Sequence, residues 1–167
     1  MSADNRINYA ELVDVPKLQA LLESFHRVIG IANAVIDTDG VVIAHAGWQD
    51  ACTKFHRVNP ESCRRCIESD TSLVSSMTQG SQYAVYDCLN GLVDTAAPIM
   101  VAGQHVANVF TGQFLTQPAN ETFFRAQAAR HGYDETAYLE AIGRVPIVPR
   151  ERVEAITRLY AQLASML

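Results

Sequence analysis

The sequence predicts an α+β domain: a five-stranded antiparallel sheet, a helical insert between strands two and three, and additional terminal helices. Three observations carry that prediction. Five short β-rich runs are punctuated by turn signals, among them Asp39-Gly40, Asn90-Gly91 and Ala102-Gly103. Apolar residues follow helical spacing before, between and after those runs. The 167 residues, 49% hydrophobic, suffice for one domain whose core needs no disulfides.

The elements follow in chain order. Asp14 caps a helix with Pro16 in its first turn; Leu18, Leu21, Leu22, Phe25, Val28 and Ile29 recur at helical steps, and Gly30 stops the run. Ile31 to Ile36 and Val41 to Ala46 form a hairpin around Asp37-Thr38-Asp39-Gly40. Residues 49–79 are helical in pattern, broken near Asn59-Pro60 and closed by Gly80. Three strands follow, Gln82 to Leu89, Leu92 to Val101 and His105 to Phe114. Helices close the chain at 120–131, 134–142 and 150–167. This order of elements describes a PAS-like or GAF-like sensor shape, in which a sheet and a helical lid hold a small ligand between them; shape alone does not settle function.

Charge and composition exclude several classes. A formal net charge of −5 gives no electrostatic case for direct nucleic-acid binding. No apolar stretch approaches the ~20 residues that span a bilayer, and the N-terminus lacks a signal-peptide pattern. The expectation is a cytoplasmic protein, where thiols stay reduced and a C-x-x-C serves metal or redox work.

All four cysteines fall in one window: Cys52, the pair Cys63 and Cys66, and Cys88. On a helix, Cys63 and Cys66 share a face and can point at one ion. With Cys52 and Cys88 they would clamp the insert to the sheet through zinc, the alternatives being an iron–sulfur cluster, reduced structural thiols or a redox pair. His56 lies between these ligands. Asp94 is a charge in an otherwise apolar strand and needs a partner. Trp48, Phe55, Tyr86, Phe110 and Gln113 supply aromatic walls and an amide, so that with His56 and Asp94 they form a candidate pocket for a small ligand. For any single aromatic, plain core packing is the competing explanation. Pro98 marks a free or irregular strand edge. No nucleophile elbow, phosphate loop, zinc-protease helix or paired-carboxylate cleft occurs, so no enzyme is expected.

These motifs resemble a known family. Residues 47–57, Cys63-Arg64-Arg65-Cys66-Ile67-Glu68-Ser69-Asp70, Asp87 to Asp94 with Ala97-Pro98-Ile99, and His105 to Asn108 with Thr111 to Phe114 are similar to the PocR sensory domain. The likeness runs from about Leu12 to Leu167, leaving residues 1–11 as an N-terminal arm. It implies a PAS-related ligand-sensing domain of bacterial and archaeal transcription regulators, histidine kinases and cyclic-dinucleotide enzymes. The namesake regulator responds to propanediol, and the family is thought to bind small hydrocarbon derivatives such as short alcohols and diols. The four cysteines occupy positions of the family pattern.

The expected protein is therefore a small-molecule effector sensor that passes its signal to an output domain or partner protein through helix 150–167. Val153, Ile156, Tyr160, Leu163 and Leu167 form a packing or dimer seam there, and a homodimer is expected. The stop at Leu167 suggests an excised domain or a stand-alone partner. A metal or redox sensor and a small enzyme acting on an alcohol are the rival functions.

Overall fold

Helical caps and tight turns divide the chain where local chemistry dictates, as a computed structural model describing residues 6–77 and 82–166 shows. A short helix α1, Tyr9–Leu12, precedes α2, Val15–Ile29. Asp14 accepts a hydrogen bond from the Lys17 N–H, and Gly30 at φ 77° ends α2. The strands β1, Ala32–Asp37, and β2, Val42–Ala46, are joined by a turn in which the Asp37 carboxylate accepts from the Asp39 and Val41 amides. The insert is a π-helical segment, Ala51–His56, followed by α3, Pro60–Met77. The meander β3, Ala84–Asp87, β4, Val93–Val101, and β5, Gln104–Phe114, leads into α4, Glu121–His131, α5, Glu135–Gly143, and α6, Arg150–Ala164. Gly80 and Leu167 lie outside the described residues.

All strand pairs are antiparallel, in the order β2-β1-β5-β4-β3. With the helical insert between β2 and β3, this is the expected α+β, PAS-like arrangement. β3 pairs with β4 only from Val93 to Ala96, so Pro98 falls where its missing N–H breaks no β3–β4 hydrogen bond. Among the described residues no helix is long and apolar enough to cross a membrane.

The two sheet faces differ in chemistry. One carries large apolar side chains, Val35, Ile99, Val109 and Phe114, packed against Leu18 and Leu22 of α2 and Val153, Ile156 and Tyr160 of α6. The seam expected on the last helix is thus spent largely on packing within the domain. Tyr9 joins this core, so the N-terminal arm docks through α1. The other face is lined by Ala34, Ile36, Ala96 and Phe110, with Trp48 and Tyr86 packed beside them. Alanines there leave space beneath the insert. A third cluster, including Cys52, Leu92, Phe124 and Tyr138, fastens the π-helical segment to α4 and α5.

One polar group interrupts the large apolar layer. Asn33 of β1 is buried, and its amide donates to the Leu22 carbonyl of α2 at 3.0 Å and to the Tyr160 hydroxyl of α6 at 2.9 Å. Tyr160→Phe keeps the ring but leaves one Asn33 N–H without its partner. It should lower unfolding free energy by about 1–3 kcal/mol, read as a shift of the urea midpoint with the far-UV circular dichroism spectrum unchanged.

Candidate ligand-binding site

The bulge between β4 and β5 builds the site. Asp94 pairs with Gly112 and Val93 with Phe114, which leaves Gln113 as the extra residue, at φ 57°. The bulge turns the Gln113 N–H onto Asp94 Oδ1 at 2.8 Å. Gly112 is required by this approach: a Cβ there would lie 1.9 Å from the same oxygen and 2.8 Å from the Asp94 backbone. The Gln113 side chain then accepts a hydrogen bond from the Gln49 N–H at 2.5 Å. Gln49 heads the π-helical segment, its carbonyl receiving the Cys52 and Thr53 amides. A single residue in left-handed conformation therefore ties the carboxylate on the sheet to the start of the insert.

Between these parts lies a cavity of about 40 Å³. Its apolar surface comes from Ala32, Ala34, Ile36, Trp48, Leu92 and Phe110, and its polar groups from Asp94, Gln113, His56, Arg57 and Asp70. The Arg57 guanidinium binds Asp70 at 2.9 Å and lies 4.6 Å over the Trp48 ring. His56 is buried, with Nε2 2.7 Å from the Tyr138 hydroxyl. Gln127 donates to that same hydroxyl at 2.7 Å and to the Asn90 carbonyl at 2.9 Å, so imidazole, phenol and amide form one buried hydrogen-bonded group. Burial, followed by the positive charge of nearby groups, lowers His56 to about 4 and keeps it neutral. Burial and then the Asp70 charge raise Asp94 to about 7, against the Gln113 N–H and Arg57.

Of the seven residues expected at the pocket, Trp48, His56, Asp94, Phe110 and Gln113 line the cavity. Phe55 packs against Tyr133 and Tyr138 behind it. Tyr86 stands opposite Asp94 in the β3–β4 ladder, its hydroxyl buried without a partner among the described residues. Arg57 and Asp70 were absent from the expected set. No pattern in sequence joins Arg57 to a carboxylate thirteen positions on.

Three of the four thiols, Cys52, Cys66 and Cys88, line the same cavity, and Cys63 does not. Cys66 accepts a hydrogen bond from the Asn90 amide at 3.1 Å. Burial pushes Cys66 up to about 11 and Cys52 and Cys88 well above their ordinary value, so all three are protonated at neutral pH. Four thiols suit a soft ion such as zinc. Their arrangement here does not close around one: among the described residues, no group of three or more His, Cys, Asp or Glu side chains is placed to hold a metal.

The family described as the sensory domain found in PocR matches residues 11–167. The chain is similar to the Regulatory protein PocR of Salmonella typhimurium, at 26% identity over 96 residues. That stretch is 58% of this chain and 32% of the relative, so the chain spans about a third of that protein's length. Among solved structures, the GAF domain/HD domain protein from Geobacter sulfurreducens is 14% identical, with a TM-score of 0.46 over 95% of this chain and 94% of that one.

The two shifted groups pull stability in opposite directions with pH. Asp94 titrates higher in the folded protein than in the unfolded chain. Its contribution is complete below about pH 4 and is lost as pH rises through about 7. His56 titrates lower when folded, so its contribution is present above about pH 6.5 and is lost as pH falls through about 4. Asp94→Asn should gain progressively on the wild type as pH rises from about 4 to about 7, measured by urea denaturation across that range. Parallel curves for the two proteins would contradict this placement of Asp94.

Proposed function

The chain belongs to the PocR sensory-domain family, and from that premise we propose that it is the cytoplasmic ligand-sensing module of a signal-transduction or transcription regulator, binding a short alcohol or diol. The observation that carries this reading is the cavity itself. At about 40 Å³ it has room for on the order of three waters, or a molecule of about five non-hydrogen atoms. Its alanine, leucine and aromatic surfaces suit a short carbon chain, while Asp94, His56 and Arg57 offer hydrogen bonds to oxygen.

The same residues argue for binding rather than catalysis. Protonated buried thiols are poor nucleophiles, and among the described residues the side chains that bond the His56 ring are Tyr138 and Gln127. An output domain or partner protein would receive the signal through α6, which packs on β4 and β5 behind the cavity floor. A homodimer would use surfaces other than the buried side of α6.

A second reading concerns the thiols. Three of them on one cavity support a proposed four-cysteine zinc site, with an iron–sulfur cluster as its alternative, reached only if the side chains rotate to converge. Such an ion would supply a structural clamp between insert and sheet. Elemental analysis of protein purified without chelator decides it: about one zinc per chain supports the site, and a brown, iron-loaded protein supports the cluster.

Calorimetric titration with propane-1,2-diol tests the sensor reading. The wild type should bind and melt at a higher temperature with saturating diol. Ala34→Leu, which fills the cavity, should fold and show neither effect. A diol response that survives Ala34→Leu would place binding elsewhere and defeat the assignment.

A further inference from the structure

Resting on that reading of the cavity as a ligand site, we propose that its preferred occupant carries an ammonium group beside its hydroxyl: a short amino alcohol bound through Asp94. Two carboxylates, Asp70 and Asp94, face one guanidinium, Arg57. His56 is buried and bonded to the Tyr138 hydroxyl. Arg57 is already committed, bonded to Asp70 at 2.9 Å and stacked over Trp48. That pair is neutral within itself and leaves Asp94 as the uncompensated acid.

Asp94 is part-buried on the cavity wall and, among the described residues, accepts one hydrogen bond, from the Gln113 backbone. Among the described residues no cationic side chain bonds to it. The groups that face it are Cys52 and Arg57 from the π-helical segment and its exit, Asp70 from α3, and Tyr86 and Cys88 from β3 and the turn after it. Only Arg57 among them is positive. An enclosed carboxylate without a cation is costly to ionise. A neutral diol leaves that deficit in place, whereas an ammonium group supplies both the missing charge and three donors. The Phe110 ring and the alanines accommodate the carbon chain, and the small volume excludes bulky quaternary amines.

The test compares three probes of nearly equal size, 1-aminopropan-2-ol, propane-1,2-diol and lactate, by calorimetric titration at neutral pH and one ionic strength. Wild-type protein should bind the amino alcohol about tenfold or more tightly than the diol, the usual gain of a charge-assisted bond over a neutral one, and lactate least. Asp94→Asn should lose about tenfold more affinity for the amino alcohol than for the diol, so that the amine is no longer preferred, and Asp94→Ser should repeat that result in a second background. Equal or tighter diol binding by the wild type overturns the inference and leaves the sensor reading intact. An amine preference retained in both variants also overturns it, since Asp94 would not be its source. Binding of none of the three overturns the inference and the alcohol reading together.

Discussion

Asp94 cannot be where it is without Gln113. A carboxylate inside an otherwise apolar sheet face needs a donor, and the ladder between β4 and β5 has none to spare. The bulge releases one backbone N–H for it, at the cost of a non-glycine residue in left-handed conformation, about 1–3 kcal/mol of local strain. The same residue's side chain accepts from Gln49, so the strained position also sets where the insert begins. From that point follow the π-helical segment, the placing of Cys52 and His56, and the exit that brings Arg57 over Trp48. A π-turn widens the helix by one residue per hydrogen-bonded ring, as the bond from the Arg57 N–H to the Cys52 carbonyl records.

The sheet divides its work between its faces. Large side chains on the α2 and α6 side make a packed core, and small ones on the other side leave a cavity. β1 belongs to both. Ala32 and Ala34 line the cavity, while Asn33 between them holds α2 and α6 by its two amide hydrogens. Behind the insert, Ser62, Asn90, Gln127, Tyr133 and Tyr138 form a hydrogen-bonded layer that fixes His56 and Cys66. Buried polar layers of this kind specify one arrangement more than they add stability. Here that arrangement holds the cavity wall.

The parts of this structure governed by neighbouring residues were legible in the sequence. Asp14 with Pro16, the Asp37 turn and Asn90-Gly91 act over two to four positions and mark the element boundaries they were expected to mark, and Asn120 and Asp134 cap the helices that were expected to begin at 120 and 134. Much of the cavity was legible too, because a charge in an apolar strand and aromatics beside glycine are local anomalies. Residues whose role depends on distant packing were not. Phe55 and His56 are adjacent, yet only His56 faces the cavity, because successive residues of a helical turn point in different directions. The Arg57–Asp70 pair spans a helix break, and the docking of Tyr9 depends on a core assembled from the rest of the chain.

The space beneath the insert is the proposed binding site for a small polar molecule. Nuclear magnetic resonance on isotopically labelled protein tests this most directly, with amino alcohol and diol titrated in turn. Saturable shifts concentrated at the methyls of Ala32 and Ala34, the Trp48 indole and the Gln113 amide are the predicted result. Shifts confined to the surface groove lined by Tyr83, Met100 and Arg158, with the cavity residues unmoved, would contradict it.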